Sequence, residues 1–484
     1  MNSSLVNEKI REIRKLQQSE EHLFHDDVLL RFSKALKELK GWNTLRINPI
    51  DFAAKNNLDP DETIKLFVYG AKTGLFSFEW SLLCPLCGGR EHSYHTLNHL
   101  EKETYHCTLC DVDVEVEADS HLEVSFTLPR AISGFSPNPY ASLNDYQSFF
   151  FSPYIVWPPE TSAAFEKQPP LRYHALAPGK KVRIKVNLTP TKKYRIVSLD
   201  THSIFTLKME GRPDSGTPKI ALKHTNTGFD KKEETISGAS GEMEIINTSA
   251  KVIGCIIASP DSGYLYEIIE KYPPYFKPFV TGKMMLNNQP FRDLFLIDNL
   301  PDDLSLKIND ITLLFTDLKG STELYDKTGD VYAYKLVQNH FKILHRIVHM
   351  YRGGIVKTMG DAIMASFNVP EDGMRAGFAM LEEIEAFNKT IQSAENAIGL
   401  KIGLHRGKVI AVKANQTLDY FGQTVNIAAR VQGLAGSQEI WITDDMVDDE
   451  NTRNFIRATG YTLQSKEVAL KGVGNPVKAH LCYR

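Results

Sequence analysis

The chain has 484 residues, 42% hydrophobic and 24% charged, with a formal charge of −3, which together describe a folded protein with more than one core. That charge balance argues against a protein that works mainly by binding nucleic-acid phosphates. No apolar run approaches the roughly 18 residues needed to cross a bilayer, and Met1-Asn2-Ser3-Ser4 opens no signal segment, so a cytoplasmic location is expected.

Residues 6–39 carry helical periodicity through Val6, Ile10, Ile13 and Leu16, then Leu29, Leu30, Phe32, Leu36 and Leu39. Pro60, Asp61 and Glu62 mark a further helix start before Ile64-Lys65-Leu66-Phe67-Val68. Two helices and a hairpin here predict a winged-helix-like unit over residues 1–80, acting as a scaffold or protein contact.

Cys84-Pro85-Leu86-Cys87 is followed, after nineteen intervening residues, by Cys107-Thr108-Leu109-Cys110. Two residues between cysteines let both thiolates reach one ion, and two such pairs supply the tetrahedral sulfur set that Zn²⁺ favours. A zinc ribbon over 81–118 with one structural Zn²⁺ per chain is therefore expected. Four thiolates leave no position for a catalytic water, and His92, His95, His99 and His106 are read as surface or supporting residues.

From about 120 the pattern turns to period two, with Leu122, Val124, Phe126 and Leu128 facing inward, and Val182, Ile184, Val186 and Leu188 likewise. Further runs at 204–207, 236–246 and 252–257, separated by Gly, Pro, Asn and Ser turns, predict a β-rich, sandwich-like domain over 119–304. Lys181, Arg183 and Lys185 alternate with core positions as a solvated sheet face. Tyr146, Phe149, Phe150, Tyr154 and Trp157, in a proline-rich stretch, are read as packing under loops. A change of texture near residue 305 opens the last domain.

Ile311-Thr312-Leu313-Leu314-Phe315 forms a strand that delivers Asp317, and Gly320-Ser321-Thr322 looks like a turn whose N–H groups suit phosphate. A helix over 331–350 leads to a second strand carrying Lys357, with Asp361 in the tight turn after Gly360 and a strand over Ile363–Phe367. Two aspartates forty-four residues apart, each after an apolar run, are a candidate divalent-metal site.

With Gly403-Leu404-His405-Arg406-Gly407 and the run from Asp419 through Gly422-Gln423-Thr424-Val425-Asn426 to Arg430, these segments resemble the class III nucleotidyl cyclase catalytic domain, the adenylate and guanylate cyclase family, over roughly residues 307–484. The resemblance implies a ferredoxin-like α/β domain, set at 305–484. It implies that Asp317, Asp361 and the backbone carbonyl of Leu318 hold two Mg²⁺ or Mn²⁺ ions per active site. Lys357 and Asp419 match the pair that reads the purine in adenylate cyclases. Asn426 and Arg430, four residues apart on a helix, match the transition-state pair, and Lys401 and Lys471 match phosphate-binding lysines. Gly320, Ser321 and Thr322 complete the expected substrate contacts. Arg406 in the His-x-Gly turn and Tyr420-Phe421 ahead of Gly422 depart mildly from the family pattern.

The expected protein is thus a multidomain α+β adenylate cyclase that forms cyclic AMP from ATP as a homodimer through its cyclase domain. An unidentified ligand or protein is expected at the N-terminal domains, and no nucleic acid. The competing readings are a guanylate or mixed-specificity cyclase and a silent ATP-binding scaffold.

Overall fold

The computed structural model describes residues 1–16, 24–94, 104–187, 193–209, 218–236, 240–259, 262–299, 305–320, 326, 329–391, 397–414 and 417–483. The expectations for His95, His99, Leu188, Ser321 and Thr322 lie outside these residues.

Four helices open the chain: α1 (Ser3–Leu16), α2 (Asp26–Glu38), α3 (Pro49–Asn56) and α4 (Pro60–Lys72). The last two begin with Pro at the first helical position, and the Asn48 and Asp59 side chains cap free N–H groups of the first turn. A winged-helix-like arrangement is not established by these elements. The helices instead lie on a three-stranded sheet made of β1 (Ser77–Leu83), β2 (Arg90–Tyr94) and β5 (Leu122–Thr127), in the order β2-β1-β5. Phe32, Phe52, Phe67, Phe76 and Phe126 form the aromatic centre of this layer. Between β2 and β5, the strands β3 (Thr104–Cys107) and β4 (Val112–Glu115) pair as a separate hairpin.

The period-two reading of β5 needs correction, because Glu123 and Ser125 are as buried as Leu122, Val124 and Phe126. Glu123 Oε2 accepts from Arg90 Nη2 at 2.8 Å with both side chains almost fully enclosed. Removing either partner would strand a buried charge at a cost of about 3–5 kcal/mol.

Downstream, a five-stranded and a four-stranded sheet face each other. They enclose one cluster that includes Val186, Ile196, Phe205, Leu222, Met243 and Ile257. Lys181 and Arg183 lie on the outside and pair with Glu244. Tyr146 is fully buried below the proline-rich stretch, and its hydroxyl donates to Asp200.

Two helices, α5 (Gly282–Leu286) and α6 (Gln289–Asn299), lead into the last layer. There the chain runs β6 (Leu306–Lys319), α7 (Asp330–Met350), β7 (Gly354–Met359), β8 (Ala362–Phe367), α8 (Pro370–Lys389), β9 (Gly399–Ala414), β10 (Thr417–Phe421), α9 (Gln423–Gln432), β11 (Glu439–Thr443), β12 (Thr462–Val468) and β13 (Val477–Tyr483). The strand order is β7-β8-β6-β9-β11-β13-β12, with β10 paired to β9. The β6-α7-β7-β8-α8-β9 succession is the ferredoxin-like core, and β6 is much longer than the predicted five-residue strand.

One face of this sheet buries Leu314, Ile363, Leu400 and Ile402 against α7 and α8. The other face shares a continuous core with the N-terminal layer, in which Leu313, Val356, Val409 and Tyr420 join Trp80, Leu286 and Phe291. Among the described residues no helix is long and apolar enough to cross a membrane.

Candidate active site

Strands β6, β7, β9 and β10, the β7–β8 hairpin loop, the β12–β13 connection and helix α9 present the expected residues that are described. Met359 pairs with Ala362, leaving Gly360-Asp361 as a two-residue hairpin loop. Gly360 has φ 64° while Asp361 is not in the left-handed region, which matches the glycine-first turn that suits the twist of paired strands. Asp361 therefore sits at a stiff hairpin tip, and its Oδ2 is buried without a hydrogen-bond partner among the described residues. A carboxylate oxygen withdrawn from water and unpartnered is costly, and a cation would satisfy it.

Asp317 stands opposite Lys401 in the β6–β9 ladder. Lys401 Nζ donates to Asp317 Oδ2 at 3.2 Å. Phe315 pairs with Met364 of β8, so extending that register two residues sets Asp317 across from Ala362, the neighbour of Asp361. Thr316, buried between them, accepts from the Ile363 N–H at 3.1 Å and ties the Asp361 hairpin to β6. Leu318 is buried at the end of β6, and Gly320 turns the chain with φ 71°. Asp317 and Asp361 thus share one end of the sheet, and their donor chemistry fits Mg²⁺ or Mn²⁺.

Lys357 and Asp419 come from different strands, β7 and β10, and meet at 2.6 Å between Nζ and Oδ2. Asp419 Oδ1 accepts from the Tyr420 N–H at 2.8 Å, so both carboxylate oxygens are held.

Asn426 and Arg430 lie on α9 and are exposed. The helix begins at Gln423. Its placement depends on the glycines of the 403–407 segment. A Cβ on Gly403 would fall 2.1 Å from the Gln432 nitrogen, and one on Gly407 would fall 2.7 Å from Thr424 Oγ1, so only glycine lets α9 lie this close to β9. The expected turn at this segment is a continuous stretch of β9, in which Arg406 makes a two-pronged ion pair with Asp310 at 2.6 and 2.9 Å.

Lys471 is exposed in the β12–β13 connection. Its neighbour Leu470 packs with Val431 of α9, which brings that loop beside the Arg430 helix. Among the described residues no hydrogen bond or ion pair joins Asn426, Arg430 or Lys471 to Asp317, Asp361 or the Lys357–Asp419 pair.

Away from these groups, the sulfurs of Cys84, Cys87, Cys107 and Cys110 all lie within 4.8 Å of one another. The Cys87–Cys107 separation is 3.8 Å, close to the edge of about 3.8 Å that a tetrahedron of 2.3 Å Zn–S bonds requires. The Gly89 N–H donates to Cys87 Sγ at 3.3 Å. His106 is apart from the cluster and bonds Asp113 at the surface. Nearby, a cavity of about 530 Å³ is lined by Trp42, Arg46, Asn48, Arg90, Tyr154 and Lys277.

Nothing in the spacing of Lys357 and Asp419 announces the contacts that α6 makes to the strands carrying them. Arg292 of α6 donates to the Ile355 carbonyl and to the Tyr420 hydroxyl, and Gln289 accepts from the Ile355 N–H. The one available signal was Tyr420, an aromatic where the resemblance pattern departs.

Residues 305–482 match the adenylate and guanylate cyclase catalytic domain, and residues 10–293 match a family described as being of unknown function, DUF5939. A serine/threonine-protein kinase of Myxococcus xanthus, pkn2, is 24% identical over 179 residues, covering 37% of this chain and 20% of that protein. Adenylate cyclase 1 of Rhizobium meliloti (strain 1021) is 29% identical over 141 residues, covering 26% of this chain and 21% of that protein. The chain spans about a fifth of the length of either relative. The crystal structure of the adenylyl cyclase CyaB from P. aeruginosa aligns with 37% of this chain and 96% of its own, at 22% identity and a TM-score of 0.31.

Proposed function

The chain belongs to the family of unknown function DUF5939 through residues 10–293 and carries a class III nucleotidyl cyclase domain over residues 305–482; from that premise we propose that it is an adenylate cyclase, forming 3′,5′-cyclic AMP and pyrophosphate from ATP. The observation that carries the choice of ATP is the Lys357–Asp419 contact at 2.6 Å. Lysine only donates and an ionised aspartate only accepts. Adenine presents an acceptor at N1 beside a donor at its exocyclic amine, so Lys357 matches the first and Asp419 the second. Guanine presents the reverse order along that edge and would meet like with like.

Asp317, Asp361 and the Leu318 carbonyl are the residues that would hold two Mg²⁺ or Mn²⁺ ions, which when bound neutralise the triphosphate and acidify the ribose 3′-hydroxyl. The reaction needs no covalent enzyme intermediate, because the 3′-oxygen displaces pyrophosphate at the α-phosphorus in one in-line step. Asn426 orients the ribose and Arg430 meets the charge that grows on the α-phosphate. Lys401 and Lys471 contact the phosphates, and Gly320, Ser321 and Thr322 are assigned to them as well. The resemblance of the cyclase domain, together with the lack among the described residues of any hydrogen bond or ion pair joining Asn426, Arg430 or Lys471 to the aspartates, supports a homodimer, in which one copy supplies the metal aspartates and the other the purine and transition-state residues. The four clustered cysteines are assigned to one structural Zn²⁺, and the cavity beside Arg46 is a candidate place for a regulatory ligand.

The test is a competition assay with equimolar ATP and GTP at fixed Mn²⁺. Cyclic AMP is the expected main product, and cyclic GMP in excess would move the assignment to a guanylate or mixed-specificity cyclase.

A further inference from the structure

The strand that carries Lys357 is the outermost of its sheet, and outer strands leave one row of backbone groups without a ladder partner. It also bulges, since Ile355 pairs with Ala365 but Lys357 pairs with Met364. A bulge turns the side chains beyond it and loosens their register. Here α6 closes that edge. Gln289 Oε1 accepts from the Ile355 N–H at 2.8 Å, and Arg292 Nη1 donates to the Ile355 carbonyl at 3.0 Å, so both backbone groups before the bulge are held by side chains from outside the cyclase domain.

Arg292 makes a second attachment. Its Nη2 donates to the Tyr420 hydroxyl at 3.2 Å, while its Nε donates to the Leu286 carbonyl at 2.7 Å. Tyr420 is the residue whose N–H holds Asp419. One buried guanidinium therefore links β7, two residues before Lys357, to β10, one residue after Asp419. Its described acceptors are two carbonyls and a phenol, with no carboxylate among them, and such a charge is costly to enclose without a carboxylate partner.

We propose that Arg292 and Gln289 are positioning residues for purine recognition, through which the DUF5939 region sets the geometry of the Lys357–Asp419 pair. This inference rests on the reading of that pair as the purine reader. Both residues fall within the segment matched to that family, so the region takes part in substrate choice as well as covering the sheet.

The experiment measures kcat/KM for ATP and for GTP in the full chain, for the wild type, Arg292→Lys, Tyr420→Phe, their double variant, Gln289→Ala and Lys357→Ala. Lysine cannot span both strands, so Arg292→Lys should lower the ATP-to-GTP ratio about tenfold. Tyr420→Phe should shift it in the same direction and add little in the double variant, because the two changes break one link. An unchanged ratio, or an equal fall for both nucleotides, would overturn the proposal as mere structural support. Should the Arg292 variant not fold, Gln289→Ala decides by the same criterion. If Lys357→Ala also leaves the ratio unchanged, the purine assignment falls together with the inference. If it shifts the ratio while the other variants do not, only the inference falls.

Discussion

Lys401 Nζ lies 3.2 Å from Asp317 Oδ2 across the β6–β9 ladder, whereas Asp361 Oδ2, at the neighbouring hairpin tip, is buried with no partner. Without metal one carboxylate is thus partly neutralised and the other is not, so Asp361 carries the stronger demand for a cation. Asp361→Asn removes that charge while keeping the shape. It should melt no lower than the wild type in metal-free buffer and lose turnover by roughly a thousandfold or more. Added Mn²⁺ should raise the wild-type melting temperature and leave the variant unmoved. Equal rises, read by calorimetry, would contradict the assignment.

The cysteine cluster predicts about one zinc ion per chain in protein purified under reducing conditions without chelator. Cys87→Ser should lower both the zinc content and the melting temperature, because the three thiolates that remain hold less tightly the ion that ties β1 and the β3–β4 hairpin together. Elemental analysis that finds no zinc in the wild type would remove the assignment.

The residues that are legible in the sequence act through local chemistry. Asp317 follows an apolar strand, Asp361 follows a turn glycine, and the cysteine spacing brings two pairs of thiols to one point. What escaped detection depends on partners far along the chain. Glu123 sits at a nominally outward position of β5, and its ion pair with Arg90, thirty-three residues earlier, makes its burial tolerable. The 403–407 segment reads as a turn from its two glycines, yet those glycines admit α9 against a straight strand. Four helices stacked on β1 and β5 are likewise set by aromatic packing between segments, for which short-range periodicity carries no signal.

His340, on the inner face of α7, is fully buried, and neither ring nitrogen has a hydrogen-bond partner among the described residues. Burial pushes its pKa down from 6.5 to about 4, the Val337 backbone one turn back offsetting only part of this. Well above pH 6.5 the ring is neutral in both folded and unfolded chains and has no effect on the pH dependence. As pH falls from 6.5 towards 4 the unfolded chain takes up a proton that the folded chain refuses, so stability drops across that window, by up to about 3 kcal/mol. His340→Leu should flatten this part of the curve in chemical denaturation. Parallel curves for variant and wild type between pH 7 and 4.5 would contradict the prediction.

A cyclisation site built by two copies of the chain predicts complementation between inactive variants. Asp317→Ala retains good purine and transition-state residues with a broken metal site, and Arg430→Ala retains the reverse, so each homodimer should be almost inactive. A mixed dimer has one doubly broken site and one intact site. Cyclic AMP formation, followed against mixing ratio after verified subunit exchange, should recover to about half the wild-type rate per mixed dimer, since each lost component alone removes several kcal/mol of transition-state stabilisation. No recovery at any ratio, with mixed dimers shown to be present, would mean that the site is not shared between two copies.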